Sequence, residues 1–560
     1  MIDKLMEAFG GAALDLGLRW RRRRLWGELI EQAAAPSETQ ANVLAEILAR
    51  NADTTFGRNY GFGSIRGHAE FTEAVPVCDY EGLRPHIERQ ETTGEAVLTA
   101  EAPVLYAMTS GTTGEAKYIP ITPTGLTRQA KAQQLLATML HAATPALSGR
   151  ILGIAGPAVE GHRPGGTPYG SASGMILEGM PGLILRRYIL PAATLAIADY
   201  DARYYVVAAL ALAEDNLIGI ATANPSTLLR LRQVIVDRWP DLLDDIARGT
   251  LHGAGPLDPN CRREVTAAIA TKRGRAAQLR TLGDPTDLSL GALWPRLAAV
   301  TTWTRGSCGL AVTRLRELLS ETVTVAELGY LASEVRGTVA VDTTSGNCVP
   351  MLGDTFFEFV ERDAWESGAA QFLTLADLEE GHQYYVFVTT FDGLYRYDMN
   401  DIVEVTGTFG ATPCLAFVQK GRGVTNITGE KLHESQVLEA VVAAGGGRVP
   451  GGGFFLMLAD TPAAAYRLYL EGPFDDFDTP TRLAHSVDNT LARLNVEYRT
   501  KRASGRLQPV VGHELRAGTG DAYRCHCVAG GQRDAQFKVL PLQRAEDCTF
   551  DLSAAVVSCV

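Results

Sequence analysis

The chain has 560 residues, more than one hydrophobic core ordinarily covers, so two or more domains are expected. It is 46% hydrophobic and 21% charged, the balance of an ordinary globular protein, and its net charge of −12 would repel nucleic-acid phosphates over most of the surface. That excludes a nucleic-acid partner as the main role, and no uninterrupted apolar stretch is long enough to span a bilayer, so no membrane partner is expected either.

Asp3 and Glu7 come early, and the basic run Arg19, Trp20, Arg21, Arg22, Arg23, Arg24 follows the first apolar stretch. That order is the reverse of a secretory signal, and the run reads as the solvated face of an N-terminal helix or arm. Ser37 with Gln40 three residues later has the capping-box pattern, and Val43, Leu44, Ile47 and Leu48 recur at helical spacing, which predicts a helix over 37–50. The most informative stretch follows: Ser110-Gly111-Thr112-Thr113-Gly114-Glu115-Ala116-Lys117-Tyr118-Ile119-Pro120. Glycines let backbone N–H groups approach an anion, successive amides form an anion-binding nest, the hydroxyls add donors and Lys117 adds a point charge. The spacing is not that of the Walker loop, which sets Gly and Lys side by side before Ser or Thr. Read alone, the stretch also fits a Gly/Thr-rich surface turn.

Further helices are predicted at about 125–141, 196–214 and 225–246, the last opening at Pro225-Ser226, while the Gly/Pro-rich connector 156–170 is expected to hold no regular element. Strand signals dominate 350–407: Phe356 to Val360, Tyr384 to Thr390, an Asp392-Gly393 hairpin turn, Leu394 to Asp398, then Asp401 to Val405 closing a meander. After Gln419-Lys420-Gly421-Arg422-Gly423 the pattern resets. A helix at 430–443, strands at 453–459 and 466–471, a helix at 479–495 and strands near 506–511 and 522–528 read as a small α+β domain. The glycines of the reset mark a hinge. The predicted organisation is therefore α/β: a large N-terminal mixed α/β domain, 1–420, and a smaller mobile α+β C-terminal domain, 421–560. Nine cysteines, odd in number and irregularly spaced, predict free thiols in a reducing cytoplasm. Cys525-His526-Cys527 suggests metal ligands, but on a strand the histidine would face away from both cysteines, and no second ligand pair lies nearby.

At this point a resemblance becomes specific. Thr109 to Lys117 resembles the phosphate loop of the acyl-adenylate-forming superfamily, Tyr330-Leu331-Ala332-Ser333-Glu334 its adenine and magnesium motif, and Tyr395-Arg396-Tyr397-Asp398 its ribose motif. Arg422, Gly429, Lys431 and Glu434 fall at the spacing of its interdomain hinge. The short Tyr-Arg-x-Asp form is similar to the plant auxin-responsive (Gretchen Hagen three) acyl-acid amido synthetases and their bacterial relatives. So are Phe356-Phe357-Glu358-Phe359, Gln536-Phe537-Lys538-Val539 and the early Phe56-Gly57-Arg58-Asn59-Tyr60-Gly61. Leu540 between Val539 and Pro541 departs from the relatives, which run from valine to Pro-Arg, and loosens the register of Lys538.

The resemblance implies an adenylating domain with a C-terminal lid, ATP and Mg²⁺ as cofactors, and a carboxylic acid and an amine, foremost an amino acid, as partners of a ligase; a monomer is the default expectation. It implies that Ser110, Gly111, Thr112, Thr113, Gly114 and Lys117 hold the β/γ phosphates, that Tyr330 packs on adenine beside Ser333, that Glu334 holds Mg²⁺ and that Asp398 takes the ribose hydroxyls. Lys538 is the candidate to reach the acid carboxylate and α-phosphate, Lys431 is the competing lysine, and Arg422 would contact the nucleotide or act at the pivot. Each has a bland alternative: Tyr330 a core aromatic, Glu334 and Lys538 surface charges, Asp398 an ion-pair partner of Arg396. Transfer of the acyl group to coenzyme A or a carrier-protein thiol, and a catalytically silent acid or nucleotide binder, remain the competing functions. The acid pocket is expected between the loop and the middle strands, drawing on 196–214 and Trp303 to Leu310.

Overall fold

Apolar residues build separate cores in two compact units: Met1–Thr304 with Arg314–Met399 and Val403–Ala416, and Arg305–Thr313 with Asn400–Ile402 and Phe417–Val560. The computed structural model describes the chain except residues 1, 110–115, 146–147, 181, 270–271, 307, 422–423, 429, 475–478, 531, 533–536 and 558–560.

In the first unit, the strands Arg150–Ile154, Leu217–Thr222, Ala299–Thr302 and Thr324–Glu327 lie in that order, each parallel to the next. Parallel strands need crossovers, and the helix Tyr200–Ala213 leads into the second of them. It is apolar on almost every side, and Ala202 and Tyr204 to Ala213 are buried, which spends most of this helix on the core rather than on a pocket. The expected helix over 225–246 is two helices, Ser226–Asp237 and Trp239–Arg248, because Pro240 has no N–H for the preceding turn and starts the second one. The arginine run lies on the helix Ile2–Ala34, with Trp20 exposed.

A second sheet has the order Lys117–Ile121, Leu105–Thr109, Pro168–Gly170, Gly161–His162. Its last two strands fall in 156–170, where no regular element was expected. Gly170 explains the difference: a Cβ there would stand 1.8 Å from the Ala158 carbonyl oxygen, so this glycine serves close backbone packing. The expected helix at 37–50 is Pro36–Asn51, but the capping box does not form. Pro36 occupies the first turn, and the Gln40 amide is buried, donating to Leu352 O and Thr355 O and accepting from Phe357 N.

The meander runs Phe356–Glu361, Gln383–Thr389, Tyr397–Phe409 and Thr412–Lys420. Asp392-Gly393 does turn the chain, with Gly393 at φ 88°. Leu394, Tyr395 and Arg396 stay outside the ladder, however, and the strands expected at 394–398 and 401–405 are one strand from Tyr397. Arg396, at φ 44°, supplies the bend before it.

In the second unit, the sheet order is Val511–Leu515, Ala465–Glu471, Phe455–Asp460, Leu542–Arg544. Strand alternation serves two cores: Phe455, Met457 and Ala459 join Val437, Val441 and Leu491, while Phe454, Leu456 and Leu458 join Tyr523, Phe537 and Leu552. The strand expected at 522–528 is a helix, Thr519–Ala529. Its N-terminal amides are capped from afar: the Glu471 carboxylate accepts from Gly518 N at 2.7 Å and Gly520 N at 2.8 Å, a cap with no local sequence signal. Cys525, His526 and Cys527 therefore sit on a helix, and the strand-based argument about their facing does not apply. Among the described residues every cysteine is a free thiol, and no helix is long and apolar enough to cross a membrane.

Candidate active site

The antiparallel strands Leu105–Thr109 and Lys117–Ile121 pair Thr109 with Lys117, the residues on either side of the hydroxyl-rich stretch. Ser110, Gly111, Thr112, Thr113 and Gly114 lie outside the described residues. Lys117 opens the second strand with its Nζ 5.6 Å from the Tyr80 ring centroid, and the Tyr80 hydroxyl accepts from Tyr118 N at 2.7 Å. Past the hairpin, Thr122 caps the helix Pro123–Ala143. The buried Asp392 accepts from Thr122 N at 2.7 Å and Thr122 Oγ1 at 2.9 Å, and burial pushes its carboxyl up to about 6. This ties the end of the hairpin to the turn of the meander.

Tyr330 to Thr338 form a tight hairpin. Thr338 N donates to Tyr330 O at 3.0 Å, Tyr330 N donates to Thr338 Oγ1 at 2.8 Å, and Ala332 N donates to Val335 O at 2.8 Å. Ser333 and Glu334 are thereby set at the tip, Ser333 buried and Glu334 half-buried. Tyr330 is buried and its ring lies over Gly337, where a Cβ would come within 2.6 Å of it.

In Tyr395-Arg396-Tyr397-Asp398, three residues serve packing. Tyr395 stacks on Phe56 at 4.9 Å and donates to Leu98 O. The Arg396 guanidinium, which is buried, meets Glu358 Oε1 and Oε2 at 3.1 and 3.0 Å and donates to Thr72 O and Val75 O. Arg396 thus takes Glu358 as its ion-pair partner, and Asp398 is anchored by its backbone, Asp398 N donating to Cys78 O at 2.8 Å. Burial drives the Tyr397 phenol well above its ordinary value, and the charges of Glu334, Asp79 and Asp398 add to the shift. The structure therefore brings Glu334 and Asp398 to bear on one ring, next to the Tyr80 that faces Lys117.

In the second unit, Lys431 has φ 39°, a left-handed backbone rare for a side-chain-bearing residue. Asn495 Nδ2 donates to Glu430 O and Lys431 O, and the Glu430 carboxylate accepts from Ile427 N and Thr428 N, which holds the bend. Arg422 and Gly429 lie outside the described residues. Lys538 Nζ is 5.4 Å from the Phe417 ring centroid. Glu434, buried at the start of the helix Glu434–Ala444, is pushed up to about 7 by burial, with Lys538 pulling the other way. The ordinary value is 4.5, so between 4.5 and 7 the folded protein holds a proton that the unfolded chain releases. Stability from this group is therefore full below pH 4.5 and declines as pH rises towards 7. Urea unfolding at stepped pH should show that decline in the native chain, and the decline should be smaller in Glu434→Gln.

No group of three or more His, Cys, Asp or Glu among the described residues could hold a metal by itself. Glu334 offers a carboxylate at the tip of its hairpin. That fits Mg²⁺, which takes one or two carboxylates and fills its shell with substrate phosphates and water. Glu358 and Asp392 are site-supporting residues whose roles the sequence reading did not assign. The signal for Glu358 was a lone charge inside an aromatic strand, whereas Asp392 was hidden under its turn assignment.

Residues 26–324 match the GH3 family N-terminal domain, 348–420 the GH3 family central domain and 436–547 the GH3 family C-terminal domain. The chain belongs to the GH3 family. Indole-3-acetic acid-amido synthetase GH3.8 of Oryza sativa subsp. indica is 27% identical to this GH3 chain over 537 residues, covering 89% of it and 87% of the relative. Probable indole-3-acetic acid-amido synthetase GH3.1 of Arabidopsis thaliana is 26% identical over 545 residues, covering 91% and 90%. Among solved structures, GH3.15 acyl acid amido synthetase superposes with a TM-score of 0.82 at 23% identity, covering 95% of this chain and 96% of that one. A 2-hydroxyisobutyryl-CoA ligase in the postadenylation state, in complex with 2-HIB-AMP, shares the fold at a TM-score of 0.55 and 11% identity, covering 91% and 90%. The fold is the expected mixed α/β one, with a large N-terminal and a smaller C-terminal domain.

Proposed function

We propose that this GH3 chain is an ATP-dependent acyl-acid amido synthetase. It would join a carboxylic acid to an amine, foremost an amino acid, through an acyl-adenylate. The observation that supports the reading most is the convergence of Glu334 and Asp398 on Tyr397, beside the Tyr80 that faces Lys117, in a chain of a family whose curated relatives bear amido-synthetase names. A carboxylate does not acylate an amine at neutral pH, because oxide would have to leave. In the first step a carboxylate oxygen bonds to the α-phosphorus of ATP and the bond to the bridging oxygen breaks, releasing pyrophosphate. In the second the amine attacks the acyl carbon, AMP leaves and the amine loses a proton.

The first step brings an anion to a polyanion, so neutralising charge is the main requirement. Two unit charges about 4 Å apart interact by roughly 4 kcal/mol at an effective dielectric of about 20. Ser110, Gly111, Thr112, Thr113, Gly114 and Lys117 would hold the β/γ phosphates, Tyr330 and Ser333 the adenine side, and Asp398 the ribose hydroxyls. Glu334 would hold Mg²⁺, which would supply further positive charge at the phosphates. Residues 421–560 would act as a lid swinging at the glycines around Arg422, carrying Lys538 to the acid carboxylate and α-phosphate, with Lys431 at the pivot. Closure would keep water from the adenylate. The enzyme would work as a monomer in a reducing cytoplasm.

Pyrophosphate release is the test: with ATP, Mg²⁺ and a panel of aryl, indole and fatty acids, the protein should release pyrophosphate only when its acid is present. Mass spectrometry with amino acids and coenzyme A as acceptors should then find an amide. Silence with every acid would support a mere binder, and a thioester as the sole product would move the chain to thiol acceptors.

A further inference from the structure

We infer that Arg336 holds an oxyanion of the bound substrates, the acid carboxylate or a nucleotide phosphate, in the cavity it lines together with Glu334. The inference rests on the proposed reaction for its choice of ligands. Arg336 stands two residues past Glu334 on the returning arm of the Tyr330 to Thr338 hairpin, bridged to Leu331. The side chain is half-buried, but its Nε is sealed from solvent and meets no acceptor among the described residues. Three other enclosed arginines of this unit have carboxylate or carbonyl partners. Arg396 has Glu358 and two carbonyls, Arg275 donates to Leu212 O and Leu293 O, and Arg128 has Glu46, Asp354 and Gly353 O.

The cavity is also lined by Arg128, Thr390, Phe391, Asp354 and Asp392. Two of its carboxylates are already engaged, Asp354 with Arg128 and Asp392 with Thr122, and burial pulls the Arg336 guanidinium down to about 10. A half-buried cation with its Nε sealed and unmatched destabilises the protein that carries it, and an apolar side chain of like size would be the more stable choice. Its presence beside the magnesium carboxylate is explained when an anion arrives with the substrates. The planar fork of arginine suits both carboxylate and phosphate oxygens, which it can meet with two parallel N–H bonds.

Arg336→Met and Arg336→Lys test this, compared with the native chain by thermal melting without ligand, by ATP and pyrophosphate binding, and by the concentration dependence of pyrophosphate release on acid and ATP. Arg336→Met should melt at a higher temperature than the native protein, because an unmatched charge has gone, while its affinity for one ligand falls about tenfold or more. Arg336→Lys, which keeps the charge but loses the fork, should lose affinity for the same ligand. A rise confined to the KM for acid assigns the carboxylate, and loss confined to ATP and pyrophosphate assigns the phosphate. Unchanged affinities in both variants, or a lower melting temperature in Arg336→Met with unchanged affinities, would make Arg336 a structural strut and overturn the inference. ATP and pyrophosphate binding and melting do not require turnover, so they still report on Arg336 if no acid supports catalysis.

Discussion

Glu334→Ala and Lys117→Ala should each lower acid-dependent pyrophosphate release at least about a hundredfold, the scale for removing one charge-stabilising group from a transition state. The two residues act at opposite ends of the same demand. Lys117 begins the strand Lys117–Ile121, directly after the hydroxyl-rich stretch proposed to hold the phosphates. Glu334 sits at the tip of a hairpin whose backbone bonds to Thr338 and Val335 do not involve its carboxylate, so alanine there should leave the hairpin intact. Single-turnover measurement at saturating ATP separates chemistry from binding, and melting curves close to the native one would exclude misfolding. Turnover like that of the native protein in both variants would refute the assignment of the site.

Glu358→Ala should be the most destabilising single change, by about 3–5 kcal/mol, because removing one partner leaves a buried cation unmatched. Glu358 is 1% exposed and Arg396 2%, so water cannot readily take over the lost contacts. The same carboxylate also meets His68 Nε2 at 3.0 Å, so the substitution strips two neighbours at once. Urea unfolding should show the loss as a lower midpoint. The paired change Glu358→Leu with Arg396→Met should recover much of it, since removing both charges leaves nothing unmatched. A midpoint unchanged in Glu358→Ala would show that the pair does not stabilise the fold.

The candidate site could be proposed from sequence where chemistry demands residue types at fixed spacing. Tyr330, Glu334 and Asp398 could be singled out as candidates because the carboxylates sit in short motifs whose order along the chain is informative. Long periodic stretches were equally plain: Val43, Leu44, Ile47 and Leu48 mark a helix whichever side chain caps it. What escaped was whatever depends on a distant partner. Ser37 and Gln40 look like a local cap, yet Gln40 reaches Leu352 and Thr355, and the Pro36 beside them already starts the helix. The 522–528 segment alternates enough to pass for a strand until Glu471 caps its first turn. The short strands within 156–170 are hidden because Gly170 serves close backbone contact rather than bending. Arg336 gave no local signal, since a single arginine in a turn looks solvated until its surroundings are known.

The Gln40 amide meets backbone groups of Leu352, Thr355 and Phe357, more than three hundred residues later in the chain. During synthesis, the helix Pro36–Asn51 leaves the ribosome long before those groups exist, and the Arg396 clasp on Thr72 and Val75 comes later still. The first large unit therefore cannot finish folding as its N-terminal half emerges. It must wait, with apolar faces uncovered, until translation has passed Arg396, which makes this interval the one in which the nascent protein most needs shielding from aggregation.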